Sequence, residues 1–195
     1  MTLLGFSPTV VLVVLLLGSC SSPVAPSAPV TTSSSTPPTW RGLVIAEEDR
    51  CSPYDSSDYS YPQSLEDGII SRLGGLYSPY TGACFANKAE TDIEHIVARS
   101  EAHDSGLCSA DDATRRRFSQ DPANLTLASP LLNRYQKRDK DAAEWLPDRN
   151  ACWFVSTVID VRRKYSLTID HLEADAIDRV LAACVSTGLE PSSCG

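Results

Sequence analysis

The chain has 195 residues, 42% of them hydrophobic, and a formal net charge of −8. That is enough apolar material for one ordinary core. The acidic balance excludes a protein that gathers a polyanion by long-range charge alone, so any contact with nucleic acid must rest on local groups of basic residues.

Residues 10–17 form an uninterrupted aliphatic run with no Lys or Arg before it. It is too short to span a bilayer but suits the apolar stretch of a secretory leader. The following Leu17-Gly18-Ser19-Cys20 resembles the lipobox of bacterial lipoproteins, which implies cleavage before Cys20 and a lipid on that cysteine. A plain leader cut nearby is the alternative. Residues 21–39 are almost wholly Ser, Thr, Pro, Ala and Val, without charge or aromatic side chains, and read as a tether that cannot bury enough surface to fold. The expected organisation is a leader at 1–19, a tether at 20–42 and a folded domain at 43–195.

Within that domain, residues 50–61 are rich in Ser, Asp, Tyr and Pro and read as an irregular loop anchored by Cys51. A helix is expected from Ser64, with Leu65, Ile69 and Leu73 as its apolar stripe and Gly74-Gly75 as its end. Turns and short extended pieces occupy 76–85. A strand at 92–97 precedes a short helix at 98–104 ended by Gly106. Ser109 is the expected cap of the next helix, which carries Arg115, Arg116 and Arg117 and is broken by Pro122. Asn124-Leu125-Thr126-Leu127 is an extended segment able to pair with the strand of His95. Ser129-Pro130 then opens a helix on which Asn133 and Lys137 share a face. The C-terminal third is helical, with a cap at Asn150 and a capping box at Asp170 and Glu173.

Setting Cys20 aside leaves Cys51, Cys84, Cys108, Cys152, Cys184 and Cys194, dispersed and without a Cys-x-x-Cys pair. Three disulfides in an oxidising compartment follow, and a structural zinc site does not. Six cysteines can pair in fifteen ways. Pairing of neighbours, Cys51 with Cys84, Cys108 with Cys152 and Cys184 with Cys194, is only one of them.

The chemistry concentrates in Thr91-Asp92-Ile93-Glu94-His95-Ile96-Val97, which sets two carboxylates and one of three histidines in an apolar strand. Side chains alternate along a strand, so Asp92 and Glu94 face one way, Ile93 and His95 the other. Phosphodiester hydrolysis needs an activated water, a cation and a grip on the substrate backbone. His95 is the natural base. Glu94 and Asn133 offer the hard oxygens that Mg²⁺ prefers, and Asp92 can orient a ligand from behind. Arg116, Lys137 and Arg138, from the basic runs at 115–117 and 134–140, are candidates for holding phosphates without reading sequence. His103, His171, Trp145 and Trp153 read as structural or exposed residues.

The pattern Asp92-x-Glu94-His95-Ile96-Val97, Asn124-Leu125-x-Leu127, Asn133 and Lys137 resembles the HNH, or ββα-metal, endonuclease superfamily. The closer similarity is to the branch typified by the C-terminal domain of GmrSD-type restriction enzymes and its secreted bacterial relatives, through Lys137-x-Asp139-x-Asp141-Ala142-Ala143-Glu144-Trp145-Leu146-Pro147. The resemblance is close over 90–150 and loose over 50–185. Asn133 stands where other members have histidine, and Ala98 where many have proline. What the resemblance implies is an α+β fold, with a ββα-metal (HNH) core embedded in a mainly helical, disulfide-stabilised domain. It also implies His95 as base, Glu94 and Asn133 as metal ligands, Asn124 as the central asparagine that ties the two-strand loop, a divalent cation such as Mg²⁺, and nucleic acid, DNA before RNA, as substrate. The membrane would be a partner only through a lipid on Cys20. The rival expectation is a non-catalytic surface lipoprotein that keeps such a scaffold for binding.

Overall fold

The computed structural model describes residues 36–194. The leader, Cys20 and the tether up to residue 35 lie outside them. The folded chain starts earlier than composition suggests, because β1 (Thr39–Trp40) pairs antiparallel with β2 (Leu43–Val44). Trp40 Nε1 donates to Asp178 Oδ2 at 2.7 Å, and the Arg41 guanidinium grips the same carboxylate at 2.9 and 3.1 Å. Residues 39–42 therefore belong to the domain and not to the expected tether. Their anchor lies far along the chain, where local composition carries no sign of it.

The helices are α1 (Leu65–Leu73), α2 (Arg99–Asp104), α3 (Asp112–Ser119), α4 (Ala151–Tyr165) and α5 (His171–Leu181). Gly74 ends α1 at φ 73°, a left-handed dihedral that costs glycine little. Two expected caps are corrected. Asp111, not Ser109, caps α3, its Oδ1 accepting from Thr114 N at 2.7 Å. Asn150 precedes α4 in a left-handed conformation and donates its amide to the Pro79 carbonyl at 2.9 Å instead of capping. Asp170 does cap α5, accepting from the amides of Leu172 and Glu173, but the Glu173 carboxylate turns away to Arg162.

Two short strands position the site. β3 (Asp92–His95) pairs antiparallel with β4 (Leu125–Ala128), with Ile93 opposite Leu127, Glu94 opposite Thr126 and His95 opposite Leu125. On one face, Ile93, Leu125 and Leu127 pack with Ile69 and Leu73 of α1. Each such side chain contributes about 1.5–3 kcal/mol as an upper estimate. The other face, carrying Asp92 and Glu94, meets the segment after β4. The helix expected from Ser129 forms there, but Leu132–Lys137 winds as a π-helix, with Arg138 N bonded to the Asn133 carbonyl five residues back.

The larger core gathers Phe154, Val155 and Val158 of α4, Ala174 and Ile177 of α5, and Ile96, Val97, Leu107 and Phe118. Arg162 of α4 is fully buried there, paired with Glu101 at 2.6 Å and Glu173 at 2.5 Å. All six cysteines form disulfides, but in the order Cys51–Cys108, Cys84–Cys194 and Cys152–Cys184. The nearest-neighbour pairing is thus wrong in all three bonds, since it is the packing and not chain distance that brings sulfurs together. The fold is α+β, mainly helical and stapled three times.

Candidate active site

β3 ends in a turn locked by one side chain. Asn124 is fully buried; its Oδ1 accepts from Val97 N at 2.8 Å and its Nδ2 donates to the Val97 carbonyl at 3.1 Å. The amide thus substitutes for a strand partner where the β3–β4 ladder stops. With both amide atoms engaged, Asn124 reaches no reactant, and what it does is hold the turn that follows His95.

His95 is 5% exposed, between Tyr61, edge-on at 4.9 Å, and Phe118, stacked at 6.4 Å. Its Nε2 lies 2.8 Å from the Ser119 carbonyl oxygen. A carbonyl only accepts, so Nε2 carries the hydrogen and Nδ1 is the basic nitrogen. Burial pushes the imidazole down to about 3, with Arg99 and Lys137 acting in the same sense, so the ring is neutral throughout the ordinary pH range.

Glu94, 3% exposed, has its carboxyl raised by burial, against the opposing charge of Lys137. Lys137 is fully buried, its Nζ 2.8 Å from Glu94 Oε1 and donating to the His95 carbonyl at 3.0 Å. The ammonium is the counter-ion of Oε1, while the facing Thr126 Oγ1 has no hydrogen-bonding partner. Lys137 therefore cannot hold a substrate phosphate as the sequence suggested, because the wide π turn rotates it into the protein.

Asp92 accepts from Asn133 Nδ2 at 3.0 Å and is gripped by Arg134 at 2.7 and 2.8 Å. Asn133 is fixed through its nitrogen, so its oxygen is the atom left for a ligand. Glu94, His95 and Asn133 line one cleft of about 270 Å³, together with Tyr54, Tyr61, Arg99, Arg134 and Arg138. Arg138 is placed as expected. Arg116 is not: it is exposed on α3 and away from the cleft, while its neighbour Arg115 turns inward to Asp58 and Asp112. Arg99 and the two tyrosines are additions that the sequence reading missed. Arg99 lies four residues beyond His95, as the first residue of the helix after the turn, and that proximity was the available signal.

The other two histidines lie outside this cleft. His103 is 1% exposed, its Nδ1 2.9 Å from Tyr59 Oη and its Nε2 2.8 Å from the Ser52 carbonyl. His171 is exposed. Trp145 and Trp153 pack against the buried Tyr80.

The family model described as "GmrSD restriction endonucleases, C-terminal domain" matches residues 55–178, which take in the cleft from Tyr61 to Asp139. The chain belongs to this family. A curated relative, named as an uncharacterized secreted protein, of Arthroderma benhamiae (strain ATCC MYA-4681 / CBS 112371), is 31% identical over 123 residues. That match covers 62% of this chain and 60% of the relative. No solved structure matches.

Proposed function

We propose that this GmrSD-family domain is an exported, metal-dependent endonuclease that hydrolyses nucleic-acid phosphodiester bonds with low sequence selectivity, DNA before RNA. In this reading β3, β4 and the helical segment after Ser129 form a ββα-metal unit. The carrying observation is that one cleft joins a neutral histidine, whose Nε2 is committed to Ser119, with a buried carboxylate and a fixed asparagine. Family membership and the secreted relative support it, and three disulfides suit an oxidising compartment. Under the same reading the leader exports the domain and Cys20 receives lipid.

The donor set suits a small hard cation, because Glu94 and Asn133 line one cleft and Asn133, tied to Asp92 through its nitrogen, has its oxygen free. A bound divalent cation such as Mg²⁺, held by Glu94 and Asn133, would neutralise charge growing on the phosphate and leaving oxygen. His95 accepts at Nδ1 the proton of the attacking water as its oxygen bonds to phosphorus and the bond from phosphorus to the leaving oxygen breaks, that oxygen taking a proton from solvent. Asn124 keeps the turn beyond His95 in register, and Asp92 holds Asn133. Arg138, near the mouth, contacts the flanking backbone.

One observation favours a second reading, a binding protein that keeps the scaffold without the chemistry: Lys137 already sets a positive charge against Glu94. Nicking of supercoiled plasmid decides between them. The expected result is nicking with Mg²⁺ or Mn²⁺ that chelator abolishes, that weakens as salt rises, and that His95→Ala removes while the fold persists. A wild type inactive with every cation tried supports the binder.

A further inference from the structure

Three guanidinium groups line the cleft, and one of them is committed to a carboxylate. Arg134 is held at both Asp92 oxygens, and Arg138 stands 3.8 Å from Asp139. Arg99 has no acidic partner among the described residues. Its Nη1 donates to the Tyr59 carbonyl at 3.1 Å, and its Cζ lies 5.2 Å from the centre of the Tyr61 ring. The same ring stands edge-on to His95 at 4.9 Å. Arg99 is thus stacked and anchored at one nitrogen, with other N–H donors and its full charge unmatched, on the wall that carries the proposed base. Stacked guanidinium groups are less hydrated than ammonium groups and fit phosphate oxygens as a fork.

We propose that Arg99 is the phosphate ligand of this cleft, donating to non-bridging oxygens of the phosphodiester that lies beside His95. This deepens the endonuclease reading and rests on it for catalysis, although anion binding itself does not need turnover. The role belongs to Arg99 because Lys137 is buried and Arg116 lies off the cleft.

The test is fluorescence anisotropy with a short, labelled, phosphorothioate oligodeoxynucleotide in EDTA, so that neither cleavage nor a cation contributes. Wild type and Arg116→Gln should bind alike. Arg99→Gln should bind about tenfold more weakly, and Arg99→Lys should fall between them, because it keeps the charge but not the fork. Thermal midpoints of the variants establish that they are folded. Should Arg99→Gln be destabilised, Arg99→Lys carries the comparison. In the active, cation-loaded protein Arg99→Gln should lower kcat by about a hundredfold, as loss of one preorganised donor does, with a smaller change in KM. Equal binding by wild type and both Arg99 variants, or no binding by wild type, overturns the proposal. Arg99-dependent binding by a wild type that cleaves nothing keeps Arg99 and discards the catalytic reading.

Discussion

Lys137 Nζ lies 2.8 Å from Glu94 Oε1, and both side chains are sealed from solvent. A buried pair is costly to break, because removing one partner strands the other's charge. Lys137→Met should therefore destabilise the apoprotein by about 3–5 kcal/mol. If Glu94 is a cation ligand, Mg²⁺ or Mn²⁺ should restore more of the midpoint in Lys137→Met than it adds to wild type. Thermal denaturation with and without cation measures this; a variant indifferent to cations would argue against Glu94 as a ligand.

The Asn124 amide holds Val97 through two hydrogen bonds in a dry environment. Asn124→Ala leaves the Val97 N–H and carbonyl without those partners, at a cost of about 1–3 kcal/mol. Nicking should fall more steeply than stability, because the turn after His95 loses its register. Urea titration beside the plasmid assay separates the two effects, and equal activity per folded molecule would contradict the orienting role.

Arg162 is buried between Glu101 and Glu173 and also donates to Ser105 Oγ at 2.9 Å. Arg162→Ala leaves two carboxylates facing each other inside the core, and a loss of about 3–5 kcal/mol is expected. Arg162→Lys restores charge but not the fork, and should recover only part of it. A chemical-denaturation midpoint unchanged in Arg162→Ala would refute this account.

Stability should fall as pH rises from about 4.5 to 8, levelling off as each of three raised carboxyls in turn passes its folded pKa. Burial raises Asp141 to about 6, Glu173 to about 7 and, with Glu101 adding repulsion, Glu48 to about 8. A raised carboxyl binds its proton more tightly in the folded state. Its contribution is therefore complete below the unfolded pKa, near 4, and is lost as pH climbs through the folded one. Groups shifted the other way act lower down: Asp178, hydrogen-bonded by Trp40, at acid pH, and buried His95 up to about pH 6.5, above which the decline is unopposed. Melting curves from pH 4.5 to 8.5 should show the decline, and Glu48→Gln should flatten its upper part.

How far the sequence carries can be seen residue by residue. The alternation of Ile93 with Asp92 and Glu94 was readable because a strand's period is local, as was the pairing of β3 with β4 from two matched apolar segments. Lys137 was misplaced because four-residue spacing describes an α-helix, and nothing local announces that the turn widens to five. Cysteine pairing and the anchoring of Trp40 on Asp178 depend on packing between distant segments, which no short window contains. Arg99 was passed over for a different reason. An arginine starting a helix is usually solvated, and only the stacking on Tyr61 distinguishes this one.

The Cys51–Cys108 bond ties the stretch that carries Tyr54 and Tyr61, two walls of the cleft, to the segment just after α2. Before oxidation those aromatics lack their covalent fastening, and so does the stacked Arg99. In a reducing cytosol the cleft is expected to be slack, and on the endonuclease reading a cell would then be shielded from the activity until the chain has been exported.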